Sequence, residues 1–452
     1  MGDRDRSTQE LVELRNELYA CFTRWGDALF ELTDAALCAT GPICSVPALS
    51  LEAEFTRSHG SLYKALAEGR INAARLRRLL VDHAPEDWPL VFAVDASTWD
   101  RCDAECSPER GFYYSASKHS AGQPIVAGWS FQWISQLCFT PDSWTQPIDV
   151  RRIPPTDDAT DATIDQVRDL IGLLPADREV PLFVFDAGYD PIALGHGLND
   201  TRAQVLVRIR EDRVFYTDPP ARVRRPKRTG GRPPRHGRRM KCSERRSWAK
   251  PSQRLETTDS RYGTVTVTAW HDLHPKLAGR GRWAGEDAPP IVKGSVIRVE
   301  VEHLPKPTAR TKKTLWLFWS GSGVPDLNLC WRAYLRRFDI EHAFRFAKNT
   351  LGWTSPSLST PAQAERWTWL VVAMLTQLRL ARNHVNNIRL PWERPRQPHQ
   401  LTPTRVRRGF RRLRATIGTP ASPPKCTKPG PGRPKGTRTG PRTRYPAIKK
   451  AA

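Results

Sequence analysis

Apolar and polar positions follow three different periods along the chain, and the changes of period divide it. Over residues 8–40 and 50–83, apolar residues recur at helical spacing. "STQELVELRNELYACFTRWGDALFEL" opens with Ser7 or Thr8 as N-cap and an acid following. "GSLYKALAEGRINAARLRRLLVDHA" predicts two short helices joined near Gly69, and Pro85 and Pro89 close this stretch. From Leu90 the pattern becomes short unbroken apolar runs. "LVFAV" (90–94) reads as a fully buried strand, followed by strands at 111–118 and 124–139. A capped helix at 160–174 precedes a strand at 181–185, a short helix and a strand at 203–210. The order strand, strand, strand, helix, strand, helix, strand predicts an α/β core.

Residues 211–312 break that pattern. They begin with a basic Pro/Gly-rich run containing "TGGRPPRHGRR" and continue into "RYGTVTVTAW" and "KGSVIRVEVEHL", which alternate as half-exposed antiparallel strands do. A strand at 314–320 and a long helix over about 327–350 resume the mixed pattern, and another helix is predicted over about 361–386. The tail from 391 is Pro-rich and basic, with one short helix predicted at 403–415. No internal repeat is visible.

Charge sharpens this division. The net charge of +24 is concentrated in two segments: 221–250 holds 13 Lys/Arg against Glu244, and 391–452 holds 17 against Glu393. Together they exceed the total by four, so the remaining residues are slightly acidic. Discrete basic blocks without an amphipathic apolar face point to a polyanion, and nucleic acid is the first candidate. The nine Cys are scattered, with only Cys102 and Cys106 close together, which suggests reduced structural thiols in a cytosolic protein. The charged opening "MGDRDRSTQELVEL" has no apolar signal core, and "WLVVAMLTQLRL" is too short to span a bilayer. The expected location is therefore cytoplasmic and nucleoid-associated.

Against this background two carboxylates stand out. Asp95 follows "LVFAV" and Asp186 follows "LFVF", each at the end of an apolar strand and each followed by Ala. If the strands are neighbours, the carboxylates converge, and a cation between them would relieve their repulsion. The plain alternative is that each Asp caps the turn or helix that follows. A third carboxylate lies in "YLRRFDIEHAFRFAK". On one helix Tyr334, Arg337, Glu341 and Lys348 would fall within an arc of roughly 60° at about 100° per residue. Such a face suits a metal-holding carboxylate flanked by phosphate-gripping groups. A surface stripe in which Arg337 and Glu341 simply pair is the alternative.

Tyr-x2-Arg-x3-Glu-x6-Lys, complete here in type and spacing, resembles the signature of bacterial insertion-sequence transposases with a DDE active site. The resemblance covers roughly residues 50–420, and the whole chain looks like members from GC-rich actinobacteria. It implies an RNase H-like catalytic core in two parts, 89–210 and 313–390, interrupted by a β-rich insertion at 211–312. A helical domain at 1–88 that helps bind DNA ends would precede it, and a basic disordered tail at 391–452 would follow. Asp95, Asp186 and Glu341 are then implied as catalytic metal ligands for two Mg2+ ions, with Mn2+ able to substitute. Tyr334, Arg337 and Lys348 are implied to grip DNA phosphates. The implied partners are double-stranded DNA, as terminal inverted repeats and target, and a second protomer on that DNA; no membrane is implied. Trp270 and Trp283 lie where related transposases can hold a flipped base with a Trp, although core packing is the ordinary role for either.

The residues themselves suggest further DNA contacts. Arg208 and Arg210 close the last core strand and either meet phosphate or are exposed edge charges. Arg232 of "GRPP" and Arg433 of "GRPK" lie in extended basic runs of the kind that lay Arg into a narrow minor groove, or that act as polybasic linkers. His271 and His274 have no evident third ligand and read as polar residues at a strand end. Two rivals remain: an RNase H-like DNA endonuclease that cuts without joining, and a non-catalytic DNA-binding relative. The second would have lost an acid, and all three are present.

Overall fold

The computed structural model describes residues 3–115, 124–220, 234–279, 281–285, 288–305, 307, 312–425, 434–437 and 440–449. In chain order the principal elements begin with α1 (Asp3–Cys21), β1 (Phe22–Arg24), α2 (Gly26–Cys38), α3 (Val46–Leu49), α4 (His59–Glu68), β2 (Arg70–Ile71) and α5 (Ala73–Asp82). Then come β3 (Val91–Asp100), β4 (Gly111–Tyr114), β5 (Ile125–Leu137), β6 (Thr145–Ile153), α6 (Ala159–Ile171), β7 (Leu182–Phe185), α7 (Pro191–Gly197) and β8 (Gln204–Ile209). β9 (Val214–Tyr216), β10 (Arg239–Lys241), β11 (Gln253–Asp259), β12 (Gly263–Leu273), β13 (Gly294–Val301) and β14 (Thr314–Ser320) follow. The last elements are α8 (Leu327–Arg336), α9 (Asp339–Asn349), α10 (Pro361–Ala381) and α11 (Pro403–Ile417).

Two compact units are formed. The first comprises residues 1–89, 94–162 and 338–452; the second comprises 90–93 and 163–337. β3 thus gives its first residues to the second unit and the rest to the first.

In the first unit, α10 is the organising element. Most of its residues from Trp367 to Ala381 are buried, as expected for a helix apolar on all sides. A capping box between Thr360 and Gln363 starts it. It packs against α1, α2, α4, α11 and β6. The segment read as an N-terminal helical domain, residues 1–88, therefore shares a core with the C-terminal helices. The stretch of helical spacing over 8–40 forms two helices, because β1 intervenes and Trp25 takes a left-handed conformation (φ 58°). β4 and β6 both pair antiparallel with β5. β6 was not foreseen: Gln146, Pro147 and Asp149 interrupt any apolar run, yet Asp149 is fully buried and held by Arg77 at 2.7 Å.

The tail holds the helix expected at 403–415: α11 has 15 residues, and its arginines serve the fold. Arg407 donates to Ala36 O and Gly41 O at the C-terminal end of α2, where carbonyls lack helical partners. Burial lowers its guanidinium to about 10. Arg408 pairs with Glu393 at 2.7 Å, and this hydrogen bond holds that carboxyl down to about 2. Arg411 reaches Glu54 at 3.0 Å, and Arg414 reaches Asp34 at 3.2 Å.

The second unit carries a mixed sheet. β3, β7 and β8 run parallel, and their near-continuous apolar runs fit a sheet covered on both faces. β14, β13, β12 and β11 then extend it antiparallel from β8. Strands from 211–312 therefore lengthen this sheet, with β9 and β10 forming a separate hairpin. α7 packs on β8 and β14, and α8 on β7, β11 and β12. Trp270, Trp283, Trp316 and Phe318 fill one core.

Candidate active site

Asp186 is built by β7. Four fully buried residues, Leu182 to Phe185, carry the chain to the sheet end, and Asp186 emerges partly exposed. Its Oδ1 accepts from Gly188 N at 2.7 Å, closing a tight turn. The helix cap belongs to another residue: Asp190 accepts from Ile192 N at 2.9 Å and Ala193 N at 3.3 Å. Asp186 is thus not the N-cap of α7.

Asp95 is partly buried, and its Oδ1 accepts from Ala96 N at 2.9 Å. It does not end its strand, as the sequence led one to expect. β3 continues to Asp100, because its second half lies beside β5. Gly128 permits that approach: a Cβ there would stand 2.2 Å from Trp99 O.

The helix expected over 327–350 is two helices. Tyr334 lies in α8 and Arg337 caps it, whereas Glu341 and Lys348 occupy the first and last turns of α9. In the second unit, the Arg337 guanidinium stands 5.9 Å from the centre of the Tyr334 ring, and both residues are buried. In the first unit, Lys348 Nζ lies 3.4 Å from Thr98 O and 5.6 Å from the centre of the Trp353 ring. Trp353 in turn packs edge-on to Phe131 and Trp133. Lys348 is therefore held against β3, three residues beyond Asp95. An acid in the first turn and a cation in the last also complement the helix dipole of α9.

Arg208 and Arg210 are both exposed at the end of β8. Arg232 and Arg433 lie outside the described residues. Trp270 is buried and donates from Nε1 to Ala249 O at 2.9 Å, so it packs as core, as does Trp283. No local pattern announces the pairing at His274. This residue is fully buried, and its Nε2 lies 3.0 Å from His236 Nδ1. His271 instead lies 2.8 Å from Ser295 Oγ.

A cavity of about 710 Å³ in the first unit is lined by Trp144, Leu375 and Leu401, and by His342, Ala343 and Phe346 of α9. At about 100° per residue, these α9 positions face away from Glu341 and Lys348. The cavity and the acidic residue therefore use different sides of the helix.

The carboxylate oxygens of Asp95, Asp186 and Glu341 are the donors a hard divalent cation prefers, and local backbone hydrogen bonds orient the two aspartates. Among the described residues, no three His, Cys, Asp or Glu side chains gather into a metal-holding group. No helix among them is long and apolar enough to cross a membrane.

The mixed α/β architecture, with a mixed sheet and flanking helices, is consistent with a nuclease of the DDE type. The chain belongs to the family described as DDE superfamily endonuclease, whose model matches residues 17–276. That match includes Asp95 and Asp186 and stops before α8 and α9. No curated protein matches the chain.

Proposed function

We propose that this chain is a DDE transposase of the Tyr-Arg-Glu-Lys signature group, cutting and rejoining DNA at the ends of an insertion sequence. The observation that carries this reading is a register. β3 and β7 are parallel with Ala93 opposite Val184, and each chain runs two residues further to an aspartate, Asp95 or Asp186. Acids that follow strands of this register supply the carboxylate oxygens a hard cation prefers. Asp95, Asp186 and Glu341 would hold two Mg2+ ions, as the use of divalent metals by this superfamily supports. When bound, the ions would activate the attacking oxygen and neutralise the leaving oxygen of an in-line displacement.

The remaining roles belong to side chains. Tyr334 and Arg337, with the guanidinium over the ring at 5.9 Å, and Lys348, beside Trp353, are assigned to phosphates beside the cut. Exposed Arg208 and Arg210 add backbone contacts. Two protomers on paired DNA ends would make the working complex.

The test separates nicking from joining on a terminal-repeat duplex in Mg2+. Asp186→Asn and Glu341→Gln are expected to abolish nicking while DNA binding persists; near-parent cutting by either removes that residue from the site. Lys348→Ala should weaken strand transfer from pre-cut ends by about 1–3 kcal/mol, the range for a charged hydrogen bond, and affect the first nick less. A second reading, an endonuclease that cuts without joining, is favoured by the family's description and by a match that ends before Tyr334. A parent protein that nicks but never joins would establish it.

A further inference from the structure

The outer edge of β4 is covered by a distant part of the chain. Gly111 forms a parallel bridge with Ile448. Ile448 N donates to Arg110 O at 2.7 Å, and Tyr445 N donates to Glu105 O at 2.8 Å. Arg110, only 4% exposed, donates from Nη2 to Tyr445 O at 2.8 Å. Its other nitrogens hold Ser107 O and Arg101 O at 3.1 and 3.0 Å, so this guanidinium is fixed before the strand arrives. An exposed ion pair, Arg444 to Glu105 at 3.3 Å, completes the contact. The opposite edge of β4 is already paired with β5. Nearly all of the recognition is of backbone, as in strand addition to a sheet edge.

Between Gly418, after α11, and Tyr445 lie 26 residues with seven Pro, seven Lys/Arg and no acid. Proline stiffens a chain and like charges repel, so a sequence of this composition has a long reach. Extended at about 3.1 Å per residue, a linker of this length spans roughly 80 Å. Every bond that Tyr445–Ile448 makes within the chain can be made to another copy without a new contact, the condition for exchange of a terminal element.

We propose that the β4 edge accepts the Tyr445–Ile448 strand of a second copy of this chain, so that two protomers are joined by exchanging C-terminal strands. The contact within one chain is the closed form of the same latch. The balance between the forms is set by linker closure against protomer concentration. The proposal does not depend on any catalytic role and is tested without DNA.

The experiment uses full-length protein with Cys44, Cys102, Cys106 and Cys426 replaced by Ser. One preparation carries Glu105→Cys and another Arg444→Cys, and the two are mixed under mild oxidation. A covalent dimer on a non-reducing gel is expected, because the two new thiols can meet only between chains. Adding Ile448→Pro to the Arg444→Cys chain removes the donor to Arg110 O, and the dimer yield should fall about tenfold. A chain carrying both cysteines controls for the pairing itself. If it closes on itself while the mixture gives no dimer, the latch is internal only and exchange is overturned. If neither closes, the strand does not occupy this edge, which also overturns the proposal. A dimer that survives Ile448→Pro undiminished shows a different contact and overturns it as well.

Discussion

Arg15 carries its charge into the interior of the first unit, where it is 2% exposed. It makes a two-pronged pair with Asp34 at 2.8 and 2.9 Å and also donates to Gln377 Oε1 and Gly418 O. Asp34 receives Arg414 as well. One carboxylate thus ties together α1, α2 and α11, with α10 contributing Gln377. Removing one partner of such a pair leaves an uncompensated buried charge, which costs several times more than an exposed pair is worth. Asp34→Asn is expected to destabilise the protein by about 3–5 kcal/mol, read as a lower denaturation midpoint. A loss within about 0.5 kcal/mol, the size of an ordinary surface change, would show that Arg15 finds water or another acceptor instead. In a chain with so much positive charge, these arginines are structural: the same composition that suggests a polyanion partner also supplies the internal ties of α11.

Among elements, the hairpin of β9 and β10 and the end of β12 meet at a buried polar joint. Tyr216 and His274 exchange backbone hydrogen bonds at 2.8 and 3.0 Å, and a bulge with Asp272 at φ 56° turns β12 toward this point. His236 and His274 then face each other, with the Tyr216 ring against His236. Asp218 lies 4.0 Å from His274 Nδ1 and pairs with Lys293. Burial lowers the pKa of both histidines. For His274 the His236 charge adds to it while Asp218 opposes, and for His236 Lys276 and Arg235 add to it. A lowered folded-state value means that the neutral ring is favoured by folding. The stabilisation is therefore present above the ordinary histidine range, near 6.5, and is lost as pH falls below it. Between about pH 7.5 and about pH 5.5, the denaturation midpoint should fall more in the parent than in His274→Asn. Equal falls in both would mean that other groups carry the acid sensitivity.

At the scale of the molecule, the positive charge divides into internal and available parts. Of the 17 Lys/Arg in residues 391–452, six are the arginines of α11, and nine follow Pro424. Deleting all of 391–452 would remove α11 and its contacts, confusing folding with binding. Truncation after Pro424 removes nine cations while leaving α11 intact. If those residues neutralise phosphates, the dependence of log affinity on log salt for duplex DNA becomes shallower. An unchanged slope would mean that the segment does not touch DNA phosphate.

Sequence alone determined what depends on neighbours along the chain. Unbroken apolar runs specified β7, β8 and the start of β3; alternation specified β12 and β13; and Asp95 and Asp186 were visible because a carboxylate directly after an apolar strand has few ordinary explanations. Tertiary structure decided what depends on residues far apart. Paired with β5, β3 extends past Asp95 to Asp100. The turn at Arg337 and Phe338 divides the expected helix although both residues keep helical dihedrals, so no local pattern marks the break. β6 exists because Arg77 compensates Asp149, and α11 is ordered because its arginines find Glu393, Glu54, Asp34 and the end of α2. His236 and His274, or Gly111 and Ile448, meet only after folding. Burial and long-range partners, absent from any local pattern, assign the same residue type to the interior or to a ligand.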